Sequence, residues 1–348
     1  MANIKDVEKS MNNEPIQHLV SNGAGFAKPM SRQDVLLSDM ELPLSETFYP
    51  LGYAVQILTN EQSVLDAARE SFGHMLPRYT EFTLQVRVGV SDGGTMDCPP
   101  EPIRREYNHL FSLVADAENQ ALLDLKSCTN FIWVKRSTVQ RRLYFRYNLL
   151  EKPVYVLLGS SVVTDLHAAC VSKYDRGVLL CGNSGAGKTT LAYACARAGW
   201  TYTSDDTSYL INSSKSPRVA GHSHRIRFRD AAKSVFRELA NRELTPRLEG
   251  KPSIEVSTSE FDGIETSCEA RIHAIVYLNR DFTGTARSVA LADGTAVRRM
   301  SQELYSSGEI RMKQEKALDA LRDIPTYELR YCDLSSAIEI LELLVRQN

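Results

Sequence analysis

The sequence predicts a mixed α/β protein. It divides into a polar N-terminal tail (residues 1–45), a small α+β domain (46–155) and an α/β domain built around a phosphate-binding loop (156–348). Three observations predict this. Gly177-Val-Leu-Leu-Cys181 is a short apolar run that leads at once into a glycine-rich loop and an amphipathic helix. After about residue 160, apolar runs of strand length alternate with helical patterns, which implies an α/β sheet. Earlier in the chain, Phe82, Leu84, Val86, Val88 and Val90 alternate with Thr83, Gln85, Arg87 and Gly89, the period of a half-buried strand.

Residues 1–45 are polar and irregular, with Phe26 as their one aromatic residue before Phe48. That composition favours a mobile tail over a docking segment. Order is expected from near Tyr49. Tyr53, Val55 and Ile57 alternate with Ala54 and Gln56 and read as a strand. Thr59 and Gln62 have capping-box spacing, and Val64, Leu65, Ala68 and Phe72 mark one face of the helix behind them. Gly93-Gly94 and Pro99-Pro100 end the strand over 82–90 in a loop. Short apolar runs follow at 111–115, 121–125 and 131–134, and no chemical motif falls in this domain. Farther on, Leu166 to Val171 reads as a strand and Lys173 to Arg176 as a polar turn. Ile272 to Leu278 and Thr326 to Tyr331 read as further strands. A last helix starts at Asp333 with Leu334, Ile338, Leu341 and Val345 on one face.

Composition narrows the function. The 348 residues can bury a core without disulfides or a structural metal. With 41 basic and 43 acidic residues the net charge is −2, which excludes a strongly basic nucleic-acid binder for the chain as a whole. The seven cysteines are odd in number and include no C-x-x-C pair, so reduced thiols are expected. No apolar run approaches the roughly 20 residues of a membrane span, and residues 1–30 lack the apolar core of a signal peptide. The expected location is the cytoplasm, with no membrane and no nucleic-acid partner.

Gly182-Asn183-Ser184-Gly185-Ala186-Gly187-Lys188-Thr189 fits G-x-x-x-x-G-K-[ST] in full. Its glycines permit backbone conformations closed to other residues, so that N–H groups can converge on phosphate oxygens. The helix starting at Lys188 aims its positive end at the same place. Lys188 supplies a charge for the β- and γ-phosphates, and the Thr189 hydroxyl can ligate Mg²⁺. Leu191, Ala192, Cys195 and Ala198 are the expected buried face, and Gly199 the C′ residue. Trp200 to Ser204 forms a strand in this reading, with Asp205 and Asp206 at its exit. One carboxylate there can hold a metal and the other accept a proton; the bland alternative is a solvated turn. His167 falls on the strand before the loop strand, where a lone histidine is more often structural than catalytic. Arg225, Arg227 and Arg229 alternate with Ile226 and Phe228, which puts three guanidinium groups on one face of a strand. That face can clamp phosphates or an acidic protein, or serve only as a charged edge.

His167, the run from Gly177 to Thr189, Gly199 and the Asp205-Asp206 pair together resemble the catalytic domain of the bacterial HPr kinase/phosphorylase family. In that family a His stands 21 residues before the loop Lys, and an Asp pair follows it by 17 and 18. Here the register holds without a gap from 167 through 188 to 205 and 206. Thr189-Thr190 replaces the family's usual Ser-Glu, and Gly221 to Arg229 occupies the place of its glycine-rich stretch. The resemblance implies a fold related to phosphoenolpyruvate carboxykinase and an ATP- and Mg²⁺-dependent protein-serine kinase. It implies Asp206 as general base, Asp205 with Thr189 at the metal, and His167 and Lys188 as further catalytic residues. Nucleotide binding falls to residues 182–190, Thr190 included. The acceptor is then a protein carrying a serine. Two rivals remain open: a kinase of the same fold acting on a small molecule or peptide, and a nucleotide-binding regulatory module without transfer. An oligomer is compatible with all three.

Overall fold

The alternating runs of the N-terminal half pair into one sheet. The computed structural model describes residues 40–94, 97–214, 216–244, 252–280, 284–304 and 306–346, without the side chains of residues 80–82. The tail expected over 1–45 therefore lies outside the described residues up to 39, as does the side chain of Phe82. Strands begin at Leu44, five residues before the Tyr49 expected. They are β1 (Leu44–Phe48), β2 (Tyr53–Thr59), β3 (Tyr79–Ser91), β4 (Ile103–Tyr107), β5 (Leu110–Val114), β6 (Gln120–Asp124) and β7 (Thr129–Lys135). Their order is β1-β2-β3-β7-β6-β5-β4. The pairs β2/β3 and β3/β7 are parallel. Helix α1 (Gln62–Phe72) makes the β2–β3 crossover and buries Val64, Leu65, Ala68 and Phe72 against the sheet. The capping box does not form. Thr59 is the last residue of β2, and its hydroxyl accepts from the Glu61 amide at 3.2 Å, so Glu61 rather than Thr59 is the N-cap.

A helical segment the sequence reading left without a role joins the halves. Helices α2 (Arg136–Gln140) and α3 (Arg142–Tyr144), a π-helical turn (Phe145–Glu151) and α4 (Lys152–Ser161) follow one another. Helix α4 runs through 155/156, the point where the sequence reading divides the chain. Both sheets belong to one compact unit, Glu41–Asn348. Tyr209 and Ala220 of the second half pack into the core of the first.

The second sheet holds the loop strand centrally. Its strands are β8 (Val163–Leu166), β9 (Ala168–Lys173), β10 (Arg176–Cys181), β11 (Thr201–Ser204), β12 (Ser208–Ile211) and β13 (Arg218–Gly221), with helix α5 (Lys188–Arg197) after β10. A separate ribbon, β14 (Arg225–Phe228) with β15 (Ile254–Ser257), lies beside it. The sheet is completed by β16 (Glu269–Asn279), β17 (Arg287–Ala290) and, after helices α6 (Thr295–Glu303) and α7 (Gly308–Leu318), β18 (Thr326–Arg330). The order is β11-β9-β10-β16-β13-β12-β8, with β18 between β16 and β17. Among the described strands of this sheet only β10/β16 and β16/β18 pair in parallel, so the sheet is mixed rather than uniformly wound. Helix α8 (Leu334–Arg346) closes the second core. Its first turn is capped by Asp333, which accepts from the Ser336 amide at 2.9 Å. No helix among the described residues is long and apolar enough to cross a membrane.

Candidate active site

The hairpin β9–β10 turns at Tyr174 and Asp175, both with positive φ (55° and 59°), the turn that suits the twist of a two-residue hairpin loop. It sends β10 through the middle of the sheet, apolar on both faces, to deliver Gly182 at its end. Gly182 has φ +151°, and a Cβ there would stand 2.8 Å from the Ala186 Cβ; Gly187 has φ +97°. A side chain at either position strains the loop. Gly187 is the N-cap of α5, so the helix starts where the loop ends and points its positive end into the loop. Helix α5 is buried almost all round, Tyr193, Ala194 and Ala196 included, while Ala198, expected inside, is exposed. The cause is the ribbon together with the segments that follow each of its strands. Tyr193 packs against Phe228, Phe236 and Phe261, with centroids 5.0, 4.8 and 5.0 Å away, and its hydroxyl donates to Glu238 at 2.7 Å.

Lys188 folds back over the loop. Its ammonium donates to the Gly182 carbonyl at 2.7 Å and the Asn183 carbonyl at 3.4 Å. It also donates to His167 Nε2 at 2.9 Å and stands 3.7 Å from Asp206 Oδ1. Burial pulls its pKa below the usual lysine range, against the pull of Asp206. Because Nε2 of His167 accepts from an ammonium, the ring proton sits on Nδ1, and Nδ1 faces Asp206 Oδ1 at 3.6 Å. His167 does not lie within a strand. The run Leu166 to Val171 breaks at it: β8 turns toward β12 while β9 pairs with β10 and β11. The break turns the imidazole toward Lys188.

The aspartates leave β11 with different surroundings. Asp205 Oδ2 accepts from the Arg227 amide at 2.8 Å, and its carbonyl accepts from Thr189 Oγ1 at 3.3 Å. Burial, only partly offset by that amide and the Arg227 charge, pushes the Asp205 carboxyl up to about 6. Asp206 is 59% exposed at its side chain and faces the open cleft. The structure thus brings His167, Lys188, Thr189, Asp205 and Asp206 together.

These groups line a cavity of about 780 Å³, with Ser184, Gly185, Gly187 and Thr190 also on its wall. Arg225, Arg227 and Arg229 line it too, but not as three free cations on one strand face. Arg229 lies past the end of β14. Arg225 and Arg227 share one carboxylate, Glu255 on β15, at 3.2 and 3.3 Å. Residues that carried no sequence signal complete the wall. Arg280, at the exit of β16, stands beside Gly187, where the neighbouring parallel strand must end. Arg146, Tyr147 and Asn148 come from the π-helical turn, and His222 and His224 from the β13–β14 connection. A π-turn often marks a functional site, yet nothing in the local sequence announces one.

A thiol or multidentate metal centre finds no support here: among the described residues no cluster of His, Cys, Asp and Glu has metal-binding geometry. The hydroxyl of Thr189 and the carboxylate of Asp205 are the oxygen donors that could hold Mg²⁺, which keeps several waters and takes phosphate oxygens.

No protein-family model matches the chain, and no curated protein sequence matches it. Among solved structures it is similar to the Hpr(Ser) kinase/phosphatase from Coxiella burnetii. The two are 12% identical, with a TM-score of 0.30, over 53% of this chain and 89% of that one.

Proposed function

We propose that the protein is an ATP- and Mg²⁺-dependent phosphotransferase that moves the γ-phosphoryl group to a hydroxyl. The observation that carries this is the convergence on one cleft of a glycine loop, its lysine and an exposed carboxylate: Lys188 bonds the Gly182 carbonyl at 2.7 Å and stands 3.7 Å from Asp206. Thr189 and Asp205 would hold Mg²⁺, which supplies charge neutralisation for the phosphates. Lys188 balances charge on the transferring group. The acceptor oxygen forms a bond to the γ-phosphorus, the bond to the bridging oxygen breaks, and ADP leaves with that electron pair. Asp206 accepts the hydroxyl proton. His167, with Nε2 on Lys188 and Nδ1 toward Asp206, is a positioning residue that holds base and cation in register.

The acceptor divides two readings. The resemblance to HPr kinase implies a protein serine, in which case an acceptor protein is the partner. The volume of the cleft and the unpaired donors in its wall favour a small molecule, argued below. Radiolabelled Mg-ATP tests the common core. Wild type is expected to transfer label to an acceptor, and Lys188→Ala to lose roughly 10²–10³-fold in turnover. Unchanged transfer in Lys188→Ala would remove the loop from the chemistry. Nucleotide binding with no transfer to any acceptor would leave a regulatory module.

A further inference from the structure

The cleft extends beyond what phosphoryl transfer uses. Its far end is walled by the π-helical turn of the N-terminal half and by the β13–β14 connection. Two buried polar atoms there have no partner among the described residues: Asn148 Nδ2, in a side chain 2% exposed, and Ser253 Oγ, also 2% exposed. Each can donate, and a buried unpaired donor costs about 1–3 kcal/mol. Both residues belong to the wall of the one cavity, and two unpaired donors in that wall point to an acceptor group bound there.

The electrostatics agree on its sign. Seven of the ten charged side chains lining the cavity are Lys or Arg. Glu255 answers both Arg225 and Arg227, so that trio keeps a positive excess. Arg146, 7% exposed, is held by Glu70 and Glu151 at 3.1 and 3.3 Å and by Ser71 at 2.9 Å, so its position is fixed. His222 and His224 feel the same field. Burial first, then neighbouring Arg225, Arg227 and His74, push both down to about 3, so they stand neutral at pH 7. Tyr155 stacks on Tyr209 at 5.7 Å, and His222 meets both rings edge-on at 5.0 and 5.6 Å. These three rings line the same cavity as the donors. A cavity of about 780 Å³ falls in the upper part of the range for small-ligand pockets, roughly 300–1,000 Å³. A serine hydroxyl sits one carbon from its backbone, so a protein acceptor must bring main chain into the cleft, whereas a small molecule enters whole.

We propose that this far end, lined by Arg146, Asn148, Tyr155, His222, His224 and Ser253, is the acceptor subsite, and that it takes a small hydroxylated acid bearing one carboxylate or phosphate. This rests on the phosphotransferase reading above. The test uses the full chain with Mg-[γ-³²P]ATP and a cell extract divided at about 1 kDa, with mass spectrometry of the labelled product. Label in a small product that bears a second acid group supports the proposal, and the mass distinguishes carboxylate from phosphate. Label in a protein band, or in a small product with no other acid group, overturns the proposal and leaves the phosphotransferase standing. No label above the Lys188→Ala background in either fraction overturns both. With the labelled acceptor in hand, Asn148→Ala is expected to raise its KM about tenfold, with the KM for ATP unchanged. Arg146→Gln is expected to do the same or more. Because Arg146 also ties α1 to the π-helical turn, Asn148→Ala decides the matter if that variant fails to fold. An unchanged acceptor KM in a folded Asn148→Ala removes the subsite.

Discussion

The two walls of the cleft are built on different principles. The loop wall is a local object. Gly182 through Thr189 are consecutive, and each function there depends on backbone conformation within eight residues. The opposite wall is assembled from distant pieces: Arg146 and Asn148 from a π-helical turn, His222 and His224 from a strand connection, and Ser253 at the entry to β15. In the proposed reading the loop wall would bind a part common to many substrates, the phosphates, so its pattern is constrained and recurs. The opposite wall would meet the variable partner, and any combination of donors in the right places would serve. The difference predicts separate kinetic signatures: changes on the loop wall strike turnover and nucleotide binding, changes on the far wall strike the acceptor KM alone.

The largest test of that separation is Asp206, which sits at the seam. Asp206→Asn is expected to lower turnover by about 10²–10⁴-fold while Mg-ATP affinity stays close to wild type, since the amide is nearly isosteric and the phosphate contacts lie elsewhere. Asp205→Asn is expected to raise the Mg²⁺ requirement instead, because a neutral oxygen is a poorer ligand for a hard cation. Titrating Mg²⁺ in both variants checks the assignment. If Asp205→Asn loses turnover at saturating Mg²⁺ and Asp206→Asn does not, the roles are exchanged.

Legibility follows the same division. The glycine loop, the helix from Lys188 and the Asp205-Asp206 pair at a strand exit were open to reading from spacing. So were the alternations that became β3 and β10. His167 was singled out only by the family resemblance, and its contact with Lys188 came from the fold. What was not legible depended on tertiary context. Thr59 and Gln62 have capping-box spacing, but the β2 ladder claims Thr59 as its last residue and Glu61 takes the cap. Ala198 fits the apolar stripe, yet α5 ends before it, and Phe228 of the ribbon and Phe236 beyond it cover the face that carries Tyr193. The arginine alternation over 225–229 foretold a common face for Arg225 and Arg227, and no local pattern could announce that Glu255, some thirty residues on, would pair with both. His222 meets Tyr155 and His224 meets His74, both partners coming from the other half, and no local pattern announces either contact.

A smaller effect tests the support beneath the seam. Gly221 ends β13 where the backbone of β11 passes closest. A Cβ there would lie 2.5 Å from the Thr203 carbonyl oxygen and 2.9 Å from the Ser204 Cβ. Gly221→Ala is expected to cost about 1–3 kcal/mol in unfolding free energy, measured by urea denaturation. It should also reduce turnover, because the residue displaced leads directly into Asp205. Stability close to wild type would show that β11 yields without strain and that the aspartates are held from elsewhere.

The smallest expected effect concerns the far wall's histidines, and its sign separates them from the aspartates. His222 is pushed down to about 3 in the folded protein, against about 6.5 in an unfolded chain. Between those values the unfolded chain binds a proton that the folded chain does not. The contribution is therefore fully present above pH 6.5 and is lost as pH falls toward 3. Asp165 and Asp205, both pushed up to about 6 by burial, act in the opposite sense: below pH 6 the folded protein takes up their protons first and gains relative stability. The whole-protein profile mixes the two, so the comparison is between wild type and His222→Gln. Urea denaturation at pH 7 and pH 5 is expected to show wild type losing about 1–2 kcal/mol more than His222→Gln over that interval. Parallel losses would mean that His222 is protonated in the folded state without penalty. The field at the far end of the cleft would then be weaker than the arginines imply, and the case for an anionic acceptor would rest on Asn148 and Ser253 alone.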